Sequence, residues 1–281
     1  MSIAAALDPK ALAERSIADL ISLKGRRAVI TSGARGLGLA IGRRLAEAGA
    51  NVMIGDKNEP GAIEAAKAIA KAFKVAAYAS CLDVVDSRSM ARFAEAAEKA
   101  LGGIDIWINN AGTFPPAIMT ETSDEHWDLV NNVNLRGTFY GCREAARRME
   151  KARRGVIVNV TSVGGYRGRP SLAHYNAAKH GVVGLTKSAA MELGPKGVRV
   201  VCVAPAMTET PGLEEQRALY ASNTDAAQSF REMEQKILAT FPLRRFGQPD
   251  DVARVVLFVA SDMAAFVTAT TVFCDGGISA F

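Results

Sequence analysis

"TSGARGLG", residues 31–38, lies between a short apolar run, "AVIT" at 28–31, and an Ala-rich amphipathic stretch, "LAIGRRLAEAG" at 39–49. A short run rich in β-branched residues, then clustered glycines, then a helical pattern are typical of a strand, a tight turn and a helix. The stretch therefore predicts the first strand–turn–helix unit of an α/β fold.

The same alternation continues to the end of the chain. Near-continuous apolar runs separated by helical patterns indicate strands buried on both faces of a sheet. We therefore predict a doubly wound, mostly parallel seven-stranded sheet flanked by helices. The other strand candidates are "NVMIG" (51–55), "VAAYAS" (75–80), "IDIWI" (104–108), "GVIVNVT" (155–161), "VRVVCVA" (198–204) and "TTVFC" (270–274).

Two segments fall outside this alternation. Residues 1–24 form an N-terminal extension that includes a helix with Asp8 as its N-cap and Pro9 at its first position. Residues 211–241 are amphipathic and follow a predicted strand, where a lid over a ligand crevice would lie. Residues 25–281 are predicted to form one catalytic domain that carries this lid.

The composition excludes several classes of protein. The 281 residues are 49% hydrophobic, 22% charged and 6% aromatic, with a net charge of +5, which is ordinary globular composition without a basic, aromatic-rich nucleic-acid surface. The 4 cysteines are far apart, so neither a metal site nor a disulfide framework is expected. No apolar run has the length of a membrane span. We expect a cytoplasmic protein that binds no nucleic acid, membrane or metal.

The glycine-rich turn has the residues that a pyrophosphate site requires. Glycines let the backbone approach the phosphates, and the following helix supplies free N–H groups. Asp56 ends the second strand candidate twenty residues after Gly36, where a carboxylate accepts hydrogen bonds from the adenosine ribose and repels a 2′-phosphate. NAD is therefore the predicted cofactor. Arg35 and Lys57 can attract a 2′-phosphate, so NADP stays open.

Further along the chain, an ordered set of motifs resembles the short-chain dehydrogenase/reductase family. These are "NNAG" (109–112), "NVNLRG" with Asn134, "IVNVTSVGG" with Ser162, and Tyr175 with Lys179, thirteen and seventeen residues after that serine. The resemblance continues through "PAMTETP" (205–211) and "CDGG" (274–277), and so covers nearly everything after residue 24. It implies a Rossmann fold and hydride transfer between a nicotinamide cofactor and an alcohol or carbonyl.

The chemistry explains the tyrosine and the lysine. Moving a hydroxyl proton requires an acid/base, and free tyrosine titrates near pH 10. Residues four apart share a helix face, so we expect the Lys179 ammonium close to the Tyr175 oxygen. At roughly 4.5 Å and an effective dielectric near 20, the attraction is about 3.7 kcal/mol. The lysine is therefore predicted to lower the pKa of Tyr175.

The resemblance also implies individual roles. Tyr175 is the acid/base, Lys179 also holds the nicotinamide ribose, Ser162 orients the substrate oxygen, and Asn134 completes a water-mediated proton path. Asp83 lies toward adenine, Asn109 toward the adenosine ribose, and Thr210 toward the carboxamide. The full set of predicted cofactor residues is Ser32, Gly33, Arg35, Gly36, Leu37, Gly38, Asp56, Lys57, Asp83, Val84, Asn109, Asn110, Ala111, Gly112, Tyr175, Lys179, Pro205, Ala206, Thr208 and Thr210.

Four positions depart from the family pattern. Ser32 replaces the first glycine of the turn, a change that bears on the geometry of the phosphate-binding loop. Ala206 and Ala269 replace glycines that are frequent in the family. Val201 stands where an asparagine is common. The four catalytic positions are unaffected.

The substrate is predicted only as a class. By position, the pocket candidates indicate a mostly apolar, mid-sized secondary alcohol, cyclic alcohols included, and oxidation is the expected direction. An NADP-linked carbonyl or 3-oxoacyl-thioester reductase and a non-catalytic dinucleotide-binding protein are the alternatives. Helices near 123–150 and 173–194 resemble the family's subunit-packing pair, which implies a homotetramer. The pocket candidates are Phe114, Pro115, Val163, Tyr166, Met207, Leu213 and Tyr220.

Overall fold

A computed structural model describes residues 9–221 and 224–280. Asp8, the predicted N-cap of the first helix, lies outside them, as do the side chains of Leu219 and Tyr220 in the lid segment.

Seven strands form one sheet in the order β3-β2-β1-β4-β5-β6-β7. Every neighbouring pair is parallel, which confirms the doubly wound seven-stranded sheet. All seven strand candidates are strands, with ends shifted by at most two residues. They are β1 (Arg27–Thr31), β2 (Asn51–Asp56), β3 (Ala77–Cys81), β4 (Ile106–Asn109), β5 (Gly155–Val160), β6 (Val198–Pro205) and β7 (Thr271–Cys274).

Helices cover both faces of the sheet and connect the strands. Many begin and end on the residues that their chemistry favours: Asp86 caps one N-terminus, and Gly102, at φ +78°, ends the same helix. The α-helices are α1 (Pro9–Ala13), α2 (Ile17–Ile21), α3 (Gly36–Glu47), α4 (Glu59–Phe73), α5 (Ser87–Leu101), α6 (Asp124–Asn131), α7 (Gly137–Ala152), α8 (Ala173–Leu193), α9 (Pro211–Ala221), α10 (Thr224–Thr240) and α11 (Pro249–Ala260).

Two apolar cores form, one on each face of the sheet. Successive side chains point to opposite faces, so Ile30 packs in the core beneath α3, α4 and α11, whereas its neighbour Val29 packs beneath α5, α7 and α8. Fully burying such side chains contributes about 1.5–3 kcal/mol each. These two cores hold the sheet in place, and the site lies at the carboxyl edge of that sheet.

The N-terminal segment packs against the body of the protein. Arg15 and Arg26 form ion pairs with Asp262 at 2.6 and 2.9 Å, and Leu23 is 1% exposed. The extension is therefore a surface element held by charge pairs and one buried leucine.

The strand order reverses between β1 and β4. Loops that leave neighbouring strands in opposite directions open a crevice at the carboxyl edge of a parallel sheet. The loops after β1, β4, β5 and β6 carry the predicted site residues at this edge.

Candidate active site

The turn after β1 is shaped for close approach to the backbone. Gly36 has φ +57°, and a Cβ on Gly38 would lie 2.0 Å from the Ser32 carbonyl oxygen. Asn110, at the end of β4, donates its Nδ2 hydrogen bonds to the carbonyls of Ser32 (2.9 Å) and Thr31 (3.2 Å). The amide of Asn110 thus fixes the turn from the neighbouring strand.

The departures from the family pattern leave this geometry intact. Ser32 takes φ +55° and Ala269 takes φ +58°, so both non-glycine residues adopt the left-handed conformation, at a cost of about 1–2 kcal/mol each. Val201 is fully buried in the core, where an apolar side chain leaves no polar group unpaired. Ala206 lines the crevice.

Asp56 lies where the sequence predicts the ribose reader. Its Oδ2 accepts a hydrogen bond from the Ala34 N–H in the turn (3.1 Å), and its Oδ1 accepts one from the Asn58 N–H (3.0 Å). No ion pair of Asp56 is present within the described chain. The carboxylate therefore lies beside the turn without an ion pair to any described cation.

Both cations that would favour a 2′-phosphate are engaged by acids. Arg35 pairs with Glu215 of α9, and the hydrogen bond to Glu215 raises the pKa of Arg35. Lys57 Nζ lies 3.0 Å from Asp83 Oδ2. Both pairs are largely exposed, so neither is strong.

Asn109 does not reach the crevice. Its Oδ1 accepts from the Trp107 indole (2.8 Å) and its Nδ2 donates to Asn159 Oδ1 (2.8 Å), in a side chain 3% exposed. The prediction that this side chain lies toward the adenosine ribose is wrong, because its hydrogen bonds are used inside the protein. Asn109 instead ties β4 to β5 beneath the site.

The catalytic candidates meet at the ends of β5 and α8. Ser162 Oγ accepts a hydrogen bond from the Gly164 N–H at 3.0 Å, and the Ser162 hydroxyl is close enough to Tyr175 to lower the pKa of that phenol. The ring of Phe114 packs on Tyr175 with centroids 5.7 Å apart. The tyrosine hydroxyl is thus held beside the serine under an aromatic wall.

Lys179 differs from the expectation. Its Nζ donates to the Val160 carbonyl at 3.0 Å and lies 5.6 Å from the centroid of the Tyr175 ring. Burial lowers the pKa of Lys179 to about 8. The pKa of Tyr175 is raised by burial, and its hydrogen bond with Ser162 and the charge of Arg169 oppose that rise. The predicted lysine-driven lowering is therefore wrong for this geometry.

Asn134 lies in a single π-helical turn, Asn132–Arg136, between α6 and α7. Its buried Nδ2 donates to the carbonyls of Thr113 (2.7 Å) and Val130 (2.8 Å). A Cβ on Gly112 would lie 3.0 Å from Asn134 Oδ1 and 3.7 Å from Lys179 Nζ, so these groups surround one point. The amide clamps the loop after β4; its part in a proton path stays a prediction.

A cavity of about 330 Å³ joins the turn to the catalytic residues. Among the predicted cofactor residues, Gly33 and Gly38 shape the turn, and Asp56, Lys57, Asp83, Val84 and Ala111 lie outside this cavity. Arg169, Leu172 and Asn176 also line it and were missed. All three lie in or beside the stretch between Ser162 and Tyr175. That position in the sequence was the only feature that could have marked them as cavity residues. The predicted cofactor residues that line the cavity are Ser32, Arg35, Gly36, Leu37, Asn110, Gly112, Tyr175, Lys179, Pro205, Ala206, Thr208 and Thr210.

The substrate end of the cavity is mostly apolar. Phe114, Val163, Met207 and Leu213 line it as predicted. Tyr166 does not: its hydroxyl donates to Thr271 Oγ1 at 2.6 Å and its ring packs on Phe273.

Pro115 is not among the lining residues either. Its carbonyl lies 2.9 Å from His174 Nε2 and 3.2 Å from His126 Nε2. His174 therefore makes a local hydrogen bond, and the two histidines hold the loop that carries Phe114.

Residues 211–241, the predicted lid, contain α9 and α10, which follow the loop after β6. Arg217 joins the two helices and the preceding loop, with ion pairs to Glu209 (2.6 Å) and Glu234 (2.8 Å). Leu213 is 5% exposed and faces the cavity. The ion pairs of Arg217 and the buried side chain of Leu213 thus hold the start of this segment against the cavity.

A larger cavity of about 680 Å³ lies near β7 and α11 and contains none of the four catalytic candidates. Between residues 9 and 280, with 222–223 left aside, no cluster of His, Cys, Asp and Glu has the composition of a metal site. Over the same described positions, every helix is too short or too polar to cross a bilayer.

The residues fit a dinucleotide. The glycine turn leaves no space for a Cβ at Gly38, a carboxylate follows at the end of β2, and Ser162, Tyr175 and Lys179 line the other end of the same cavity. Fold and site together define an oxidoreductase of the Rossmann type that uses a nicotinamide dinucleotide.

Comparison with known proteins identifies the family. A family model described as enoyl-(acyl carrier protein) reductase matches residues 32–279. The chain belongs to the short-chain dehydrogenase/reductase family.

Relatives and solved structures agree with this assignment. The 3-oxoacyl-[acyl-carrier-protein] reductase FabG of Aquifex aeolicus is 35% identical over 92% of this chain and 99% of its own length. The structure of a putative short-chain alcohol dehydrogenase from Sinorhizobium meliloti is similar with a TM-score of 0.85, at 34% identity, and covers 93% of this chain and 99% of that one. Levodione reductase is similar with a TM-score of 0.84, at 33% identity, over 92% and 98% of the two chains.

Proposed function

We propose that the protein is an NAD-linked dehydrogenase that oxidises mid-sized, largely apolar secondary alcohols, cyclic alcohols included, to ketones. The observation that carries the proposal is the joining of two sites in one cavity: the glycine turn with Asp56 beside it, and Ser162, Tyr175 and Lys179 at the other end. NAD, when bound, accepts the hydride from the alcohol carbon. All other steps belong to residues of the chain.

The substrate hydroxyl would lie between Ser162 and Tyr175. Ser162 would donate a hydrogen bond that orients the oxygen. Tyr175, once it has lost its own proton, would take the hydroxyl proton as a phenolate while the carbon–hydrogen bond breaks. Phe114, Leu172 and Met207 surround the alcohol with apolar surface and exclude water.

Lys179 would hold the nicotinamide ribose. Among the described residues its buried ammonium has one acceptor, the Val160 carbonyl, which leaves two of its three donors for ribose hydroxyls. Because its pKa is about 8, Lys179 loses its proton at pH values near 8, and the neutral amine would bind the ribose less firmly. We therefore expect cofactor binding to stabilise the ammonium.

The direct test is turnover. Purified protein is mixed with NAD or NADP and a panel of cyclic and linear secondary alcohols, and the absorbance of the reduced cofactor is followed. The expected result is faster NAD reduction with apolar alcohols. Failure of every alcohol and every ketone with both cofactors, despite measurable cofactor binding, would favour the non-catalytic alternative.

NADP-linked reduction of ketones or 3-oxoacyl thioesters is the second candidate. It is supported by the relatives named 3-oxoacyl-[acyl-carrier-protein] reductase and by the raised pKa of Tyr175, which keeps the hydroxyl protonated and able to donate to a carbonyl. Rates with ketones and both reduced cofactors separate the two candidates.

We also propose a homotetramer in the cytoplasm. The support for assembly is the apolar surface left on the outer sides of α6, α7 and α8, where Trp127, Leu129, Phe139 and Met191 are 43%, 52%, 43% and 75% exposed. Light scattering on the eluting protein measures the mass, and a monomer at micromolar concentration would contradict the proposal.

A further inference from the structure

The charges that line the cavity are all positive. Arg35, Lys179 and Arg169 line it, and the lining residues of the described chain include no Asp or Glu. Arg35 is paired with Glu215, and Lys179 donates to the Val160 carbonyl. The guanidinium of Arg169 has no hydrogen bond or ion pair with any residue that the structure describes. It is the cavity-lining cation whose side chain has no acceptor among the described residues.

Arg169 lies at the substrate end. Its loop, residues 166–172, connects the turn after Ser162 to the helix that begins before Tyr175. The charge of Arg169 is close enough to lower the pKa of Tyr175. The guanidinium and the reacting hydroxyl therefore face the same part of the cavity.

The loop is anchored on both sides of Arg169. Arg167 donates to the Ile278 carbonyl, and the Ala117 N–H donates to the Ser171 carbonyl at 2.9 Å. A backbone held at both ends keeps the guanidinium near the cavity without an internal partner. A side chain that is already positioned binds a ligand more favourably, because less conformational entropy is lost on binding.

An unpaired guanidinium on the cavity wall favours a particular ligand chemistry. Its planar set of donors matches a carboxylate or a phosphate in two parallel hydrogen bonds. Phe114, Leu172, Met207 and Leu213 form the apolar part of the remaining wall, and Asn176, on the same lining, has a buried Oδ1 with no hydrogen-bond partner among the described residues. Arg169 itself is exposed, so water solvates the cation until an anionic ligand pairs with it.

We propose that Arg169 binds an anionic group of the substrate, a carboxylate or a phosphate, so that the enzyme acts on acidic secondary alcohols and the corresponding oxo acids. This inference rests on the proposed function and deepens it: the apolar walls hold the carbon skeleton, Ser162 and Tyr175 hold the oxygen that reacts, and Arg169 holds the charged end.

The test compares matched neutral and anionic ligands. Levulinate is compared with levulinamide for a carboxylate, and dihydroxyacetone phosphate with dihydroxyacetone for a phosphate. Two readouts are used: kcat/KM for reduction, and binding by calorimetry to enzyme saturated with oxidised cofactor, where no turnover occurs. We expect at least one anion to be preferred over its neutral partner by about tenfold to a hundredfold, as for hydrogen bonds to a charged group.

Variants assign the preference to this side chain. Arg169→Gln should remove the preference for the anion, measured as the ratio of kcat/KM for the anion to kcat/KM for its neutral partner, whereas Arg169→Lys should keep part of that ratio. Lys71→Gln is the control, since it removes a positive charge from an exposed position of α4 that does not line the cavity, and it should keep the preference.

Three results would overturn the inference while the proposed function stands. The first is the absence of any difference between anion and neutral partner in both readouts. The second is an anion preference that survives in Arg169→Gln. The third is a loss in Arg169→Gln that is equal for both partners and accompanied by a shifted pH profile, because Arg169 would then act only through Tyr175. By contrast, inactivity toward every alcohol and ketone would count against the proposed function itself.

Discussion

Replacing Asp56 by asparagine should remove the preference for NAD. The carboxylate contacts two backbone N–H groups at 3.1 and 3.0 Å and forms no ion pair among the described residues, although its charge contributes to the raised pKa of Arg35. We therefore expect its charge to act on a bound cofactor. A unit charge about 4 Å away interacts with it by about 1 kcal/mol in bulk water and about 4 kcal/mol at an effective dielectric of 20. A 2′-phosphate carries more than one such charge.

The opposing attraction is smaller. Arg35 and Lys57 would first have to leave Glu215 and Asp83, and exposed pairs of this kind are worth about 0–1 kcal/mol. The net penalty on NADP should therefore reach at least about 1.4 kcal/mol, or tenfold in the specificity constant. In Asp56→Asn the ratio of NAD to NADP should fall by at least that factor.

The assay is kcat/KM for NAD and NADP with one saturating alcohol, in wild type and in both Asp56→Asn and Asp56→Ala. Asparagine keeps an acceptor for one of the two N–H groups, whereas alanine keeps none. If both variants lose the NAD preference equally, the loss comes from the missing charge and not from a less stable turn. Equal values for the two cofactors in wild type would refute the reasoning. So would an unchanged ratio in Asp56→Asn.

Three other perturbations follow from the same geometry. Gly38→Ala places a Cβ 2.0 Å from the Ser32 carbonyl oxygen and should weaken NAD binding by at least about tenfold in calorimetry, whereas Gly184→Ala, with nothing within 4 Å, should not. The buried Lys179 has a pKa of about 8 instead of the ordinary 10.5. Between these two pH values the lysine therefore binds fewer protons in the folded protein than in the unfolded chain. Wild-type stability should therefore rise with pH there, relative to Lys179→Met, by up to about 1.4 kcal/mol per pH unit in denaturant titrations; parallel curves would contradict this. Cofactor should slow proteolysis within residues 211–241 if that segment closes as a lid, and equal cleavage rates with and without cofactor would argue against closure.

The sheet and the shared site were predictable because they depend on periodic and ordered patterns. Buried parallel strands need near-continuous apolar runs, and all seven runs form strands. The order of the motifs also brought Ser162, Tyr175 and Lys179 to one cavity.

Side-chain direction was less predictable. Asn109 and Asn110 are adjacent, yet one points into the interior and the other binds the turn, because successive residues at a strand end face opposite ways. For Lys179, the four-residue spacing fixed the helix face but not the end of a flexible stem, which reached the Val160 carbonyl. Arg169 lies in a loop with no period, so nothing in its spacing marked it.

The measurement that tests the central claim most directly is a paired one on Tyr175→Phe. This change removes the hydroxyl that moves the proton and keeps the ring that packs on Phe114. Turnover should fall by about a hundredfold or more, as expected for loss of a general acid/base, while the dissociation constant of NAD stays within about threefold of wild type. Wild-type turnover in Tyr175→Phe, with cofactor bound normally, would contradict the assignment of this tyrosine and the hydride-transfer chemistry built on it.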